Sequence, residues 1–585
     1  MDKKVSTDPV RLELVKNGIG SVVDEMVLTV VRIAYSSIMK DTMDMSSAFC
    51  DRRGRMIAQG LSLPLHLGSI PDAMDAVRAE YADTLAPGDV VVFNDPYQGG
   101  MHLPDIFMFR PVFVGDHLLG YAVLVAHHND MGGRVPGSSA ADSTEIFQEG
   151  LQIPVLKLYE RGVPCEPLFK LIARNVRVPD TVIGDLHAQE AACRIGERGL
   201  CELAARYGVE TLEQCFDELL DYSEQAARRT ISAIPDGDYT YTDQLDDDGI
   251  TPDVPVTVKV TIHVKGDELE VDLTGSSPQV RGAINSTLSF ARSAVYFSIR
   301  AIMSSDAPNN AGFMRPIRVH APEGSLFNPR RPAAVAARGI SGFRLIDAMF
   351  GALAQALPLK PRAAGEGGTT SYSIGGRDTA GRYVLFREAL MGAWGGGFER
   401  EGIDGVANPA ANIGNAPIEM VESQAPIRVE KYEFVTDSGG AGKWRGGMSV
   451  ERQLRFLGEE ATFQLRSDRR SHPPYGLAGG LPGAASNNLI EDGGDWHQMP
   501  TKFTSRLKQG QGFRHTTAGA GGFGDPRERD PQQVLADVRD GKVSVEAAHR
   551  EYAVCVLASP WRIDRAATLN LRKHSPPEKN RNGKR

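Results

Sequence analysis

The sequence predicts an α+β fold of several subdomains, helix-rich toward the amino terminus and glycine-rich and largely β toward the carboxyl terminus. Three observations carry this. Apolar residues recur at helical spacing in the opening segment, β-like runs bounded by turn residues begin near Asp89, and glycine clusters beyond Gly365. The chain has 585 residues, more than one hydrophobic core usually serves, so it divides into two or three packed parts.

Over residues 8–36, Leu12, Val15, Ile19, Val22, Val23, Met26, Val30 and Ile33 follow the i, i+3, i+4 spacing of a buried helix face and predict a long opening helix. Residues 89–93 and 118–126 read as strands. The first ends in Asn94-Asp95-Pro96 and the second in His127-His128-Asn129-Asp130, and strand ends carrying such residues are natural places for a site. Residues 185–233 predict two helices broken near Tyr207-Gly208, and Pro235-Asp236-Gly237-Asp238 is a turn that marks a boundary. Residues 256–264 and 269–273, joined around Gly266, predict a hairpin, while 286–304 and 342–357 predict helices. The clusters Gly395-Gly396-Gly397, Gly439-Gly440, Gly446-Gly447, Gly479-Gly480 and residues 519–524 predict short strands joined by tight turns, and a short helical pattern follows Pro531. The expected parts are residues 1–235, 236–360 (mixed α/β) and 361–573, with a polar, basic tail over 574–585 that is mobile or docks on a partner. There is no repeat of fixed period, which excludes solenoids and propellers.

Hydrophobic residues are 41% and charged residues 24% of the chain, the balance of a folded protein. A net charge of -9 argues against a general nucleic-acid binder, which needs a basic surface to displace counterions. The six cysteines show no C-x-x-C pair, so neither a disulfide scaffold nor a thiolate zinc site is expected, and reduced thiols fit a cytoplasmic protein. Residues 1–9 are polar and no apolar stretch reaches membrane-spanning length, so neither secretion nor insertion is expected.

Chemistry concentrates in two segments. After the first strand, His102-Leu103-Pro104-Asp105 offers an imidazole and a carboxylate three residues apart, and after the second, His127-His128-Asn129-Asp130 repeats the H-x-x-D spacing. A single histidine in such a loop ordinarily bonds to backbone, but two of these segments at strand ends point to a metal. Two histidines with one or two carboxylates suit zinc, manganese or ferrous iron, with an open position that activates water or polarises a carbonyl. Upstream, Asp41 and Asp44 are both further ligand candidates, and spacing does not choose between them. Residues 519–524 match G-x-G-x-x-G, yet no strand precedes them and Asp525-Pro526 follows, so they read as a structural turn. Residues 439–444 lack the spacing and the hydroxyl residue of a phosphate loop, and no G-x-S-x-G elbow is present. The chain therefore shows no ATP site of its own.

These segments together resemble the hydantoinase B family, which includes the matching parts of oxoprolinases, caprolactamase, and acetone and acetophenone carboxylases. Asn94-Asp95-Pro96-Tyr97 through Gly100, His102-Leu103-Pro104-Asp105 and residues 127–133 carry the resemblance, and residues 145–150, 437–443 and 524–544 extend it over nearly the whole chain. It implies one divalent metal held by Asp44, His102, Asp105 and His127, with Asp41 an alternate. His128 then falls at a variable position, and Asp130 becomes a catalytic base or an outer-shell partner. It also implies a hetero-oligomer with a hydantoinase A type subunit that binds ATP and phosphorylates the substrate carbonyl oxygen. The activity implied is ATP-dependent opening of a hydantoin, oxoproline or lactam ring, with ATP-dependent ketone carboxylation as the alternative. The sequence departs from the family's common pattern at residues 43–47 and at Ala520 and Phe523, which bears on pocket shape.

Overall fold

The apolar spacing of the opening segment forms α1 (Pro9–Ile33), whose first turn carries the Asp8 carboxylate on the Val10 N–H at 3.3 Å and a proline where no donor is needed. It buries Val15, Ile19, Val23, Met26, Val27 and Val30. The protein is represented by a computed structural model that describes residues 7–60, 63–66, 68–82, 84–304, 306–367, 370–378 and 381–574. The tail expected from 574 onward lies outside the described residues beyond its first position.

After α2 (Ser37–Lys40), Met43 takes a left-handed conformation (φ 61°) and turns the chain into an antiparallel sheet. Its strands are β1 (Met45–Asp51), β2 (Met56–Gln59), β3 (Val90–Phe93), β4 (Asp105–Val114), β5 (His117–His127), β6 (Leu156–Glu160) and β7 (Val163–Pro164), in the order β2-β1-β5-β4-β3-β6-β7. Helix α3 (Ser69–Tyr81) lies between β2 and β3 in the chain, and α4 (Glu166–Asn175), α5 (Pro179–Tyr207) and α6 (Val209–Ser232) follow the sheet. Gly208, at φ 83°, separates the last two helices as expected.

Side chains alternate across this sheet. Ala122, Leu124 and Ala126 of β5 and Ile106 and Met108 of β4 pack with α1 and α5 in one core. Tyr121, Val123, Val125, Phe107 and Phe109 pack in a second core with the middle of the chain. With both faces covered, β5 reads as a nearly unbroken apolar run. Strands β1 and β4 fall outside the runs expected from sequence, and their composition explains this. β1 contains Ser46, Ser47 and Asp51, and β4 contains Arg110 and Pro111. Arg110 is tolerated in a buried strand because it bonds Glu190 and Glu197 of α5 at 3.1 and 2.6 Å.

The expected hairpin is present as β9 (Val256–Lys265) and β10 (Glu268–Asp272), turned through Gly266 at φ 62°. With β8 (Gly237–Leu245) and β11 (Ile317–His320) it forms a sheet in the order β11-β10-β9-β8, covered by α7 (Leu288–Ile302), with α8 (Ala311–Met314) following α7 in the chain, and by α9 (Gly339–Ala356). Helix α9 is buried from Gly339 through Leu353 and is apolar on most of its surface, with Arg344 and Asp347 tolerated because they pair with Asp468 and Arg469.

The carboxy-terminal strands are β12 (Thr370–Arg377), β13 (Tyr383–Leu390), β14 (Ile427–Phe434), β15 (Val450–Phe456), β16 (Glu460–Arg466), β17 (Asn487–Asp492), β18 (Asp495–Gln498), β19 (Lys502–Lys508) and β20 (Gly512–Thr516). They form two sheets, β13-β12-β16-β19 and β14-β15-β20-β17-β18, over a core of Tyr372, Phe386, Phe463, Phe503 and Phe513. Helices Pro531–Arg539 and Val545–Arg550 follow. The glycine clusters, expected as tight turns, mostly do something else. A Cβ on Gly446 would stand 2.0 Å from the Ala520 carbonyl oxygen and one on Gly519 would stand 1.8 Å from that of Ser438. These glycines let backbone segments lie against one another. Among the described residues no helix is long and apolar enough to cross a membrane.

Candidate metal centre

Strands β1, β5 and β4 are neighbours, and their register brings the expected ligands to one end of the sheet. Met45 lies opposite Ala126 and Asp105 opposite His127, while the His127 amide donates to the Asp44 carbonyl at 3.0 Å. By strand alternation Asp105 shares a face with Phe107 and Phe109, and His127 shares it with Val123 and Val125. His102 stands in the turn before β4, and that turn is pinned from β3. The Asn94 amide donates to the Leu103 and Leu151 carbonyls at 2.8 and 3.0 Å, and its oxygen accepts from Ile153 N–H at 2.7 Å.

One ring nitrogen from each histidine and one Asp105 oxygen lie within 4.8 Å of one another. Asp44 lines the same cavity, of about 60 Å³, outside that tight group. His102 Nδ1–H donates to the Ala336 carbonyl at 3.0 Å, an acceptor that fixes the tautomer and leaves Nε2 as a bare lone pair. That lone pair faces Asp105 Oδ1 at 3.1 Å. Burial and then Arg338 push His102 down to about 3. Burial works to raise Asp105, but His102 and the Arg338 guanidinium bonded to its other oxygen hold it well below the usual carboxylate range. His102 Nε2 and Asp105 Oδ1 stand 3.1 Å apart, a separation that a cation between them would satisfy. Ligands bonded to zinc at about 2.0–2.2 Å stand roughly 3–3.5 Å apart, which matches. His127 is buried with neither ring nitrogen hydrogen-bonded, a costly arrangement unless one nitrogen binds an ion. The donor set thus fits a divalent metal, and the His102 bond to a backbone carbonyl is the outer-shell contact that metal-binding histidines ordinarily make. Asp44 is pushed up to about 7 by burial and by the Asp105 carboxylate, against which Arg387, Arg338 and Arg466 act.

Three features of the cavity wall have no counterpart in the sequence reading. His66 is fully buried, and its Nδ1–H donates at 2.9 Å to the Ser46 hydroxyl, which in turn donates to the Leu63 carbonyl at 2.9 Å. Its Nε2 is left without a partner on a ring that lines the cavity, and burial holds it neutral, down to about 4. Arg338, Arg387 and Arg466 line the same space. Glu149 stands behind it, accepting the Val335 and Ala336 N–H groups at 2.7 and 2.9 Å and so fixing the peptide whose carbonyl holds His102.

The remaining sequence candidates lie elsewhere. His128 lies just past the end of β5 and faces α5, where its Nε2–H donates to Gln189 at 2.8 Å. Asp41 is not on the cavity wall. Neither is Asp130, which is fully buried. Its Oδ1 accepts from Gly137 N–H at 3.1 Å and Arg177 Nη1 at 3.0 Å, and its Oδ2 accepts from Gly132 N–H at 3.2 Å and Arg177 N–H at 2.8 Å. This is the geometry of a carboxylate that holds its loop. Asp130→Asn is accordingly expected to lose about 1–3 kcal/mol of stability, measured by denaturant unfolding, with turnover of the folded enzyme within about tenfold of wild type. A fall of two to four decades at unchanged stability and metal content would instead identify a base.

The hydantoinase B/oxoprolinase family model matches residues 8–526 of the chain. A protein from Pseudomonas sp. (strain NS671), named as the B-type component of a D-/L-hydantoinase, is 36% identical over 97% of this chain and 98% of its own. Among solved structures, ATP-dependent caprolactamase from Pseudomonas jessenii superposes with a TM-score of 0.91 at 31% identity, over 97% of this chain and 100% of that one. Acetone carboxylase, in a nucleotide-free structure, superposes with a TM-score of 0.88 at 19% identity, over 97% and 83% of the two chains, a likeness of fold.

Proposed function

We propose, from the premise that this chain belongs to the hydantoinase B/oxoprolinase family, that it is the metal-binding subunit of a two-component, ATP-dependent amidohydrolase. Its substrate is a hydantoin, oxoproline or lactam ring whose carbonyl oxygen is phosphorylated by a hydantoinase A type partner. The observation that carries the reading is the convergence of His102, Asp105 and His127 on one buried cavity, with both His127 ring nitrogens left without a hydrogen-bond partner. Asp44, on the same wall, completes the set of two imidazoles and two carboxylates.

A divalent ion held by Asp44, His102, Asp105 and His127, zinc or else manganese or iron, would supply Lewis acidity there. The chain's own groups do the rest. Arg338 bonds the outer oxygen of Asp105 and fixes its rotamer, while the Ala336 carbonyl fixes the His102 ring. His66 presents a bare Nε2 that accepts a hydrogen bond from an entering N–H or O–H. Apolar Ile38, Leu65, Phe290, Phe343 and Ile413 line the same cavity and limit bulk water around it. The activation of an amide by phosphorylation falls to the partner, since this chain's glycine-rich segments 439–444 and 519–524 are packed against each other and against neighbouring backbone rather than opened around a ligand.

The test is the co-expressed pair, assayed with ATP against hydantoins, oxoproline, lactams and aryl ketones, with and without bicarbonate. ATP-dependent ring opening that needs both subunits and no bicarbonate is the expected result. Bicarbonate-dependent consumption of a ketone would establish the carboxylase reading instead, and stoichiometric ATP binding by this chain alone would overturn the division of labour.

A further inference from the structure

The cavity that holds the candidate ligands is also the meeting point of three arginines from separate parts of the chain. Arg338 caps the start of α9, Arg387 lies on β13 opposite Ser373, and Arg466 lies on β16 opposite Ser371. Ser371 and Ser373 are two apart on β12, so Arg387 and Arg466 stand on one face of that sheet. All three are buried, and all three line the cavity.

Their partners do not account for them. Arg338 bonds Asp105, Arg387 donates to the Gly137 carbonyl at 3.2 Å, and Arg466 donates to the Ala336 carbonyl at 2.8 Å. Among the described residues no carboxylate oxygen lies within 4.0 Å of Arg387 or Arg466. Each guanidinium has five donors, and the Nε atoms of Arg338 and Arg466 are buried with none used. Three cations thus face two carboxylates, Asp44 and Asp105, on the cavity wall. Glu149 sits behind the 335–336 peptide with its proton held up to about 8 by burial, and Asp130 is paired with Arg177. A divalent metal widens the imbalance by two further positive charges. Buried cations persist uncompensated at high cost, and the missing charge is that of an occupant.

We propose that Arg338, Arg387 and Arg466 form a binding subsite for a phosphoryl group beside the candidate metal ligands. A carboxylate or bicarbonate brings one charge and oxygens in one plane. A phosphoryl group brings up to two charges and three terminal oxygens that diverge, which suits guanidinia approaching from a helix start and a sheet face. The proposal rests on the metal-subunit reading for its place in the reaction, while its binding site rests on the arginines alone.

Inorganic phosphate is the probe, titrated calorimetrically and by thermal melting into the purified full chain, metal-loaded and metal-free, with acetate and bicarbonate as parallel arms. Phosphate is expected to bind and to raise the melting temperature, and Arg387→Gln and Arg466→Gln are each expected to weaken it by about tenfold or more with metal content unchanged. Each variant removes a buried guanidinium that no carboxylate pairs among the described residues, and its melting temperature without phosphate is recorded as the baseline for the phosphate shift. Phosphate affinity unchanged in both variants, or acetate or bicarbonate binding as tightly as phosphate, would each overturn the subsite. If either glutamine variant fails to fold, Arg387→Lys and Arg466→Lys, which keep the charge and lose the planar fork, are read by the same criteria. A wild-type chain that binds phosphate through these arginines but no metal would refute the metal reading and leave the subsite standing.

Discussion

Replacing His102 with alanine is expected to strip the chain of metal, from about one equivalent to near none by elemental analysis, and to abolish turnover of the assembled enzyme. His102 supplies a lone pair locked toward Asp105 by its bond to the Ala336 carbonyl. Its loss leaves two nearby ligand atoms, from Asp105 and His127, where three converge. Outer-shell partners of metal ligands are worth roughly 10–100-fold in affinity or activity, so loss of the ligand itself exceeds that. His128→Ala is the matched control. Its ring is equally buried but faces α5, and its metal content is expected to equal that of the wild type. Equal metal in His102→Ala and wild type would sink the assignment.

Metal uptake at this candidate site is expected to be proton-linked. In the metal-free chain Asp44 is raised from 3.8 to about 7 by burial and Asp105, so the folded state holds this proton more tightly than the unfolded one. The sign follows. The contribution of this group to the stability of the metal-free chain is full below pH 3.8 and is lost as pH rises through about 7. A ligand must be deprotonated to bind, so metal affinity rises with pH up to about 7 and levels off above it. Titration of the metal-free chain at several pH values measures this.

Much of the candidate ligand set is legible in the sequence because strand ends and H-x-x-D spacing are local features. His102 and Asp105 flank one turn, and His127 ends a strand that reads as apolar over nine residues, 118–126. Asp44 is not chosen over Asp41 by spacing; it lines the cavity and Asp41 does not, with Met43 between them in a left-handed conformation. His66 is not legible at all. It follows Leu63-Pro64-Leu65, and the serine that fixes its tautomer, Ser46, is 20 residues away in the chain. The arginines are invisible for the same reason. Arg387 and Arg466 occupy ordinary exposed-looking positions of alternating strands, and only the pairing of β12 with both β13 and β16 puts them side by side. The helices and the β9–β10 hairpin follow from periodicity, whereas β1 and β4 are masked by polar residues that tertiary partners satisfy.

Gly446→Ala is expected to destabilise the protein by more than about 3 kcal/mol, read as loss of soluble yield or as a large fall in denaturant midpoint. The added Cβ would stand 2.0 Å from the Ala520 carbonyl oxygen and 2.6 Å from its carbon. These are backbone atoms and cannot rotate away. Gly446 N–H donates to Gly440 at 2.9 Å, Gly440 N–H to Ala520 at 2.8 Å and Ala520 N–H to Gly447 at 2.9 Å, so relieving the contact breaks a closed set of hydrogen bonds. Overpacking in a well-packed interior ordinarily costs about 1–3 kcal/mol, and the broken bonds add to it. Gly20→Ala is the control, because that glycine lies in α1 with nothing within 4 Å of the added Cβ, and alanine there is expected to stabilise by about 0.5–1 kcal/mol. Bound metal should stay near one equivalent in whatever fraction of Gly446→Ala folds, since Asp44, His102, Asp105 and His127 all belong to the amino-terminal sheet and its loops. A Gly446→Ala protein that unfolds within about 0.5 kcal/mol of wild type would mean that the glycine layer yields where its backbone contacts say it cannot.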